Sequence, residues 1–329
     1  VPGSGSVFAG WSGSVTSSNN PLSVAMNSDM NIVATFIVPA GPYSDQFDTC
    51  SLDARWGSAI NPTGDGTFRV DGTHLRITVP EGATHNLWTD NKDAPRVMQA
   101  ADNVDFEYIV KFDSAVTQTA QMQGIIVEES AQKFARFEFQ FNNGVTKVYS
   151  ATIDGVTSKP RFSVEINPAD AVYMRVMRVG VRWYMYYSGN GVDWNEAGTF
   201  NNYVLDVTQA GIFVGNVKGK NTPAPEHTAV VDYFHNKTLG ALPAERPLLD
   251  ITTIGSGSVT ATPPLGQLAC GTNVTLTANP GLGATFSNWS GAVAGTEPTV
   301  SFLINGPKQV TATFIGSGNY VLLPMIIKP

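Results

Sequence analysis

Residues 134–141 read F-A-R-F-E-F-Q-F and place Arg136, Glu138 and Gln140 between the phenylalanines at 137, 139 and 141. A cation, a carboxylate and an amide at every second position can grip the vicinal hydroxyls of a sugar. Flat aromatic surfaces nearby would take the C–H face of the ring. Residues 85–91 (H-N-L-W-T-D-N) supply one such surface in a polar setting, and Arg96 and Gln99 follow. We expect Trp88, Asn91, Arg96, Gln99, Gln123, Arg136, Glu138, Gln140 and Arg175 to form one ligand-binding face. The plainer alternatives are that Trp88 packs over a sheet edge and that Arg136 and Glu138 pair across strands with Arg175 or Arg178. Trp183, Tyr184, Tyr186 and Tyr187 occupy both faces of one strand, so at least half of them belong to a core. Trp194 closes the S-G-N-G-V-D-W turn as a structural plug.

Glycoside hydrolysis needs two carboxyls, about 5–5.5 Å apart for retention or 6.5–9.5 Å for inversion. Glu138 has no second acid on its own strand face, so its partner would be Glu128 or Glu129 from the preceding strand. No Ser/His/Asp set and no phosphate-binding glycine loop stands out. The four histidines, at 74, 85, 227 and 235, lack the spacing of a zinc site.

Strict alternation over 134–141 requires a β-strand with one face in a core. Further strands are expected at 67–70, 75–79, 106–112, 123–127, 147–153, 161–166, 172–178, 182–188, 211–217 and 228–234. Turn signals separate them, including Asn143-Gly144 and Asp154-Gly155. With a single helical turn at 167–170, these make a large antiparallel sandwich. The chain has 329 residues, more than one ordinary sandwich needs, and 42% of them are hydrophobic. A net charge of −7 argues against nucleic acid or an anionic membrane as partner. No run of eighteen apolar residues marks a membrane span. The tail 317–329 is apolar over YVLLPMIIK, but short and interrupted by Pro324.

Residues 2–37 and 280–315 align without a gap, and about 14 of the 36 positions are identical. Trp11-Ser12-Gly13 matches Trp289-Ser290-Gly291, and Ala34–Ile37 matches Ala312–Ile315. The second copy has an upstream half at 251–278 that the first lacks, which suggests that the chain opens inside a repeat and derives from a longer parent. The organisation expected is a partial module at 1–40, the sandwich at 41–240, a Pro-rich linker at 241–250, a complete module at 251–316 and the tail.

The repeats, with G-S-V-T-A-T-P, G-T-N-V-T-L-T-A-N-P, W-S-G and V-T-A-T-F, resemble bacterial surface repeats of the internalin B kind. The sandwich carries D-Q-F-D at 45–48, W-T-D-N-K-D-A-P-R-V-M-Q at 88–99, then D-F-E-Y, Q-M-Q-G-I, M-R-V-M-R-V-G, Y-Y-S-G-N-G-V-D-W and V-V-D-Y-F. In that order they resemble the concanavalin A-like lectin/glucanase superfamily, in its pentraxin/laminin-G-type group. This resemblance implies an all-β, jelly-roll fold flanked by small all-β repeat modules. It also implies a secreted or surface-attached bacterial protein, a polysaccharide or cell-surface glycan as partner, and a lectin-like role on a concave face. Structural calcium is a common companion, here on Asp45, Asp48 and Asp232 if the domain's ends pair; otherwise these acids punctuate turns. An extracellular setting permits a disulfide between Cys50 and Cys270, with two free buried thiols as the alternative. Glycosidases of the superfamily present an E-x-D-x-x-E strand, which this chain lacks. Non-catalytic carbohydrate binding is therefore the leading expectation. A glycoside hydrolase or lyase using Glu138 and a structural or adhesive segment are the alternatives.

Overall fold

The computed structural model describes residues 7–17, 22–37 and 41–316. The apolar tail at 317–329 lies outside them. Among the described residues there is no α-helix, only short 3-10 turns such as Pro168–Asp170. No described helix is long and apolar enough to cross a membrane.

Strands β1 (Val7–Gly13) and β2 (Ile32–Ile37) form an antiparallel pair in which Trp11 stands opposite Ala34. The central body is built from β3 (Thr67–Val70), β4 (Leu75–Val79), β5 (Arg96–Ala100), β6 (Phe106–Phe112), β7 (Gln121–Ser130), β8 (Lys133–Asn142) and β9 (Val145–Asp154). It continues with β10 (Thr157–Glu165), β11 (Tyr173–Val179), β12 (Arg182–Ser188), β13 (Asn195–Phe200), β14 (Gln209–Asn216) and β15 (His227–Asn236). One sheet has the order β10-β9-β8-β7-β14-β5, the other β13-β12-β11-β6-β15-β4-β3. Strands distant in sequence are neighbours in both sheets, as a jelly-roll requires.

The alternation at 134–141 has the packing consequence it demands. Phe137 of β8 stacks on Trp183 of β12 at 5.9 Å and on Phe200 of β13 at 6.1 Å, and Phe139 meets Phe112 of β6 edge-on at 6.1 Å. These rings come from different sheets and join the two layers. Each contributes about 1.5–3 kcal/mol by burial. Two strands, β5 and β13, carry no strand signal in the sequence. β5 is buried on both faces, so it shows no alternation, and β13 (N-E-A-G-T-F) is polar and interrupted by glycine.

The contacts divide the chain into two compact units, one of which comprises, among the described residues, 46–52, 69–75 and 244–316. Its strands are β16 (Leu249–Ile254), β17 (Gly257–Thr262), β18 (Asn273–Pro280), β19 (Ala284–Gly291), β20 (Thr299–Leu303) and β21 (Lys308–Gly316). They form two three-stranded sheets, β16-β21-β19 and β17-β18-β20. Val274, Leu276, Trp289, Val310, Ala312 and Phe314 make the core between them. Trp289 stands opposite Ala312, the register that Trp11 and Ala34 hold in the first copy. The repeat seen in sequence is thus a repeat of strand pairing. Within this unit Cys50 and Cys270 are disulfide-bonded, with their Cα atoms 5.4 Å apart.

Candidate functional site

The β8–β9 turn sets the site's register. Asn143 and Gly144 both have positive φ, 54° and 83°, as a two-residue type I′ turn needs. This turn pairs Asn142 with Val145, and the ladder then places Tyr149 directly opposite Glu138. On β7, Gly124 is the partner of Glu138, and Met122 that of Gln140. Arg136, Glu138, Gln140, Met122 and Tyr149 therefore share the outer face of the six-stranded sheet.

A loop that crosses this face completes the site. His85 anchors it: its backbone N–H donates to the Asn216 carbonyl at 2.9 Å, and its ring Nδ1 lies 2.9 Å from Asn216 Oδ1. Asn216 Nδ2 donates in turn to the carbonyls of Pro80 and Pro225. Beyond His85, Leu87 inserts into an apolar cluster with Met98, Met122, Ile126, Phe134 and Phe213. Asn91 is the loop's internal staple. Its Oδ1 accepts from the Asn86 N–H at 2.9 Å and the Asp93 N–H at 3.2 Å, and its Nδ2 donates to the Thr84 carbonyl.

Between loop and sheet lies a cavity of about 380 Å³ lined by Asn86, Trp88, Ala120, Met122, Arg136, Glu138, Gln140, Asn142, Tyr149 and Val217. Trp88 and Tyr149 are half-buried and stand as walls, while Arg136 and Glu138 are buried at the floor. Every arm of Arg136 is engaged. Nε donates to Glu138 Oε2 at 2.6 Å, Nη1 to Asn86 Oδ1 at 2.8 Å and to the Leu87 carbonyl at 2.7 Å, and Nη2 contacts Met122 Sδ at 2.9 Å. Glu138 is 0% exposed, and its Oε1 has no hydrogen-bond partner among the described residues. Burial pushes the Glu138 carboxyl up, and the charge of Arg136 opposes that shift. Burial also raises the Tyr149 hydroxyl to about 12, with the Glu138 charge adding to the effect.

The expected face is therefore only partly assembled. Trp88, Arg136, Glu138 and Gln140 meet around the cavity, and Asn91 sits behind it. Arg96 lies on the same sheet face but is buried outside the cavity, donating to the Ala94 carbonyl at 3.2 Å. Gln99 and Gln123 point the other way, because each is one residue out of phase with the groove positions. Gln99 exchanges two 2.9 Å bonds with the Tyr43 backbone, and Gln123 bonds Ser114 and His227 in the interior. Arg175 belongs to the other sheet, where it pairs with Glu107 and lies 4.3 Å from the Tyr186 ring and 4.8 Å from the Trp194 ring. Tyr149, Asn86 and Asn142 were not anticipated. The Asn143-Gly144 turn was the sequence signal that would have paired Tyr149 with Glu138.

The hydrolytic pair is not assembled either. Glu128 stands opposite Phe134, four residues along the ladder from Glu138, an offset of about 13 Å at about 3.3 Å per residue. Burial raises the Glu128 carboxyl, and Glu129 is held by Lys133 at 2.7 Å. The acids expected to hold calcium already have protein donors. Asp45 accepts from Trp56 Nε1 at 2.8 Å, Asp48 from the Arg246 guanidinium at 2.8 Å, and Asp232 from Lys111 Nζ at 2.7 Å. Calcium takes six to eight oxygens, and to hold it these carboxylates would have to give up the donors they now have.

Comparison with known proteins agrees with this architecture. No curated protein matches the chain. A family of divergent InlB B-repeat domains matches residues 1–38 and 248–317. Among solved structures, the GH43 protein BlXynB from Bacillus licheniformis is 16% identical with a TM-score of 0.43, covering 59% of this chain and 38% of that one. A xylan beta-1,4-xylosidase from Bacillus halodurans is 13% identical with a TM-score of 0.42, covering 60% of this chain and 39% of that one. A legume lectin-like domain from Entamoeba histolytica is 13% identical with a TM-score of 0.41, covering 54% and 88%. The chain thus spans about two-fifths of the length of the GH43 proteins it resembles. The concanavalin A-like model that matches is the beta-xylosidase C-terminal one, where the sequence motifs had pointed to the pentraxin/laminin-G group. It matches residues 44–237, more than half of the chain, and the chain belongs to this beta-xylosidase C-terminal concanavalin A-like domain family.

Proposed function

We propose that the central sandwich is a non-catalytic carbohydrate-binding domain of an extracellular protein, with its site in the cavity between Trp88 and Tyr149. The observation that carries this reading is the composition of the cavity: two half-buried aromatic walls over a polar floor, with the Gln140 and Asn142 amides at the rim. Rings of this kind stack on the apolar faces of a sugar, and amides supply paired donors and acceptors for adjacent hydroxyls. Against hydrolysis stand the ladder offset of about 13 Å between Glu128 and Glu138, at about 3.3 Å per residue, and the engagement of Glu138 Oε2 by Arg136. The family's name makes xylan and xylo-oligosaccharides the first ligands to try.

The test is glycan binding by the intact chain, with Trp88→Ala and Gln140→Ala alongside. We expect the wild type to retain at least one neutral plant glycan, Trp88→Ala to lose more than tenfold in affinity, and Gln140→Ala to lose less. Unshortened glycan after prolonged incubation is expected of a binder. Undiminished binding by Trp88→Ala would place the site elsewhere.

A further inference from the structure

The cavity floor has a feature that ordinary packing does not use. Glu138 is fully buried, one of its oxygens is held by Arg136, and the other has no partner. A buried acceptor left unmade costs about 1–3 kcal/mol; Oε1 is covered at the cavity floor, so a ligand hydroxyl recovers that loss by displacing the groups that cover it. The cation beside it is spent. Arg136 already faces the Glu138 carboxylate through both Nε and Nη2, an amide oxygen, a backbone carbonyl and a thioether sulfur, which occupies its five N–H donors and leaves none for an anion. Gln140 and Asn142 at the rim are neutral amides without partners among the described residues. Lys147 stands opposite Gln140 in the ladder but does not line the cavity. The volume, about 380 Å³, is near the small end of the usual range for ligand pockets, about 300–1,000 Å³.

Resting on the carbohydrate reading above, we propose that this site selects uncharged sugars, taking one or two sugar rings with a hydroxyl donated to Glu138 Oε1, and rejects uronic acids. A ligand carboxylate would enter a low-dielectric space whose floor presents an acceptor, and whose only donors are the neutral groups at the wall and rim. It would lose its hydration and find no counter-charge left over among the lining residues. A neutral hydroxymethyl group in the same position meets neither cost. The Arg136–Glu138 pair therefore acts as a specificity element: it cancels the guanidinium charge that would otherwise draw in acidic glycans.

The experiment is an NMR titration of the intact chain near neutral pH with matched glycosides that differ only at C6. The probes are methyl β-glucoside and methyl β-glucuronide, the corresponding galactose pair, and the methyl esters of both uronides. We expect each neutral glycoside to bind at least tenfold more tightly than its uronide, and each ester, uncharged again, to recover most of the affinity. In Glu138→Gln, which removes the counter-charge of Arg136, the neutral sugars should weaken and the uronides gain, so that the ratio falls at least fivefold. Equal or tighter binding of the uronides by the wild type overturns the proposal and leaves the carbohydrate reading standing. Esters that bind as poorly as the acids overturn the charge argument. Binding to none of these probes overturns this inference, while retention of any glycan in the binding test above keeps the carbohydrate reading standing. The wild-type titrations decide the matter even if Glu138→Gln does not fold.

Discussion

At the scale of single residues, the buried polar groups carry the sharpest consequences. Glu138 is the only carboxylate bonded to Arg136 among the described residues, and both are buried. Glu138→Ala would leave the guanidinium charge buried and uncompensated. We expect it to cost about 3–5 kcal/mol, read as a lowered urea midpoint with an unchanged slope. His227 is buried beside Gln123, and burial alone lowers its pKa from 6.5 to about 4. Between these values the unfolded chain binds the proton and the folded one does not, so stability falls as the pH drops from about 6.5 to about 4. The loss from this group is on the order of 3 kcal/mol. His227→Gln should flatten the pH dependence of stability across that window, as measured by urea unfolding at successive pH values. An equally steep dependence in the variant would refute this assignment. Sequence inspection found Arg136 and Glu138 because alternation marks them. It missed the roles of Gln99 and Gln123, whose types suit a groove as well as an interior, because phase along the strand decides between the two.

At the scale of elements, the β7–β8–β9 ladder and the loop across it make the site. Gly124 lies opposite Glu138, and a Cβ there would collide with the Phe137 carbonyl and approach Glu138 Cα to 2.7 Å. Gly124→Ala forces these two strands apart. We expect about 1–3 kcal/mol of destabilisation and weaker sugar binding, because Glu138 moves with the backbone. Thermal unfolding and titration on the same sample would check both effects; an unchanged melting temperature would mean that the ladder yields more easily than its packing implies. Strand existence was legible where alternation marks it, as in β8, and where an apolar run does, as in β7 and β14. β5 was not, since burial on both faces removes the alternation and its five residues hold no such run. The His85–Asn216 anchor was not legible either, because its partners are 131 residues apart.

At the scale of the molecule, the small unit is tied by Cys50 and Cys270, which are 220 residues apart in sequence. Removing such a link typically costs a small domain about 2–5 kcal/mol. We expect Cys270→Ser, or reduction of the wild type, to lower the thermal transition of the repeat module, followed through the environment of Trp289. A transition indifferent to reductant would show that the sheets of the module hold it unaided. The sequence by itself determined the all-β class and the repeat that aligns Trp11 with Trp289 and Ala34 with Ala312, since these depend on local periodicity and composition. Through the Asn143-Gly144 turn it also determined that Tyr149 faces Glu138. Only the tertiary structure decided which polar residues share the outer face, that Arg175 belongs to the opposite sheet, and that Arg136 is consumed by its neighbours. Those outcomes depend on strand order and on contacts between distant segments, and no local pattern encodes either.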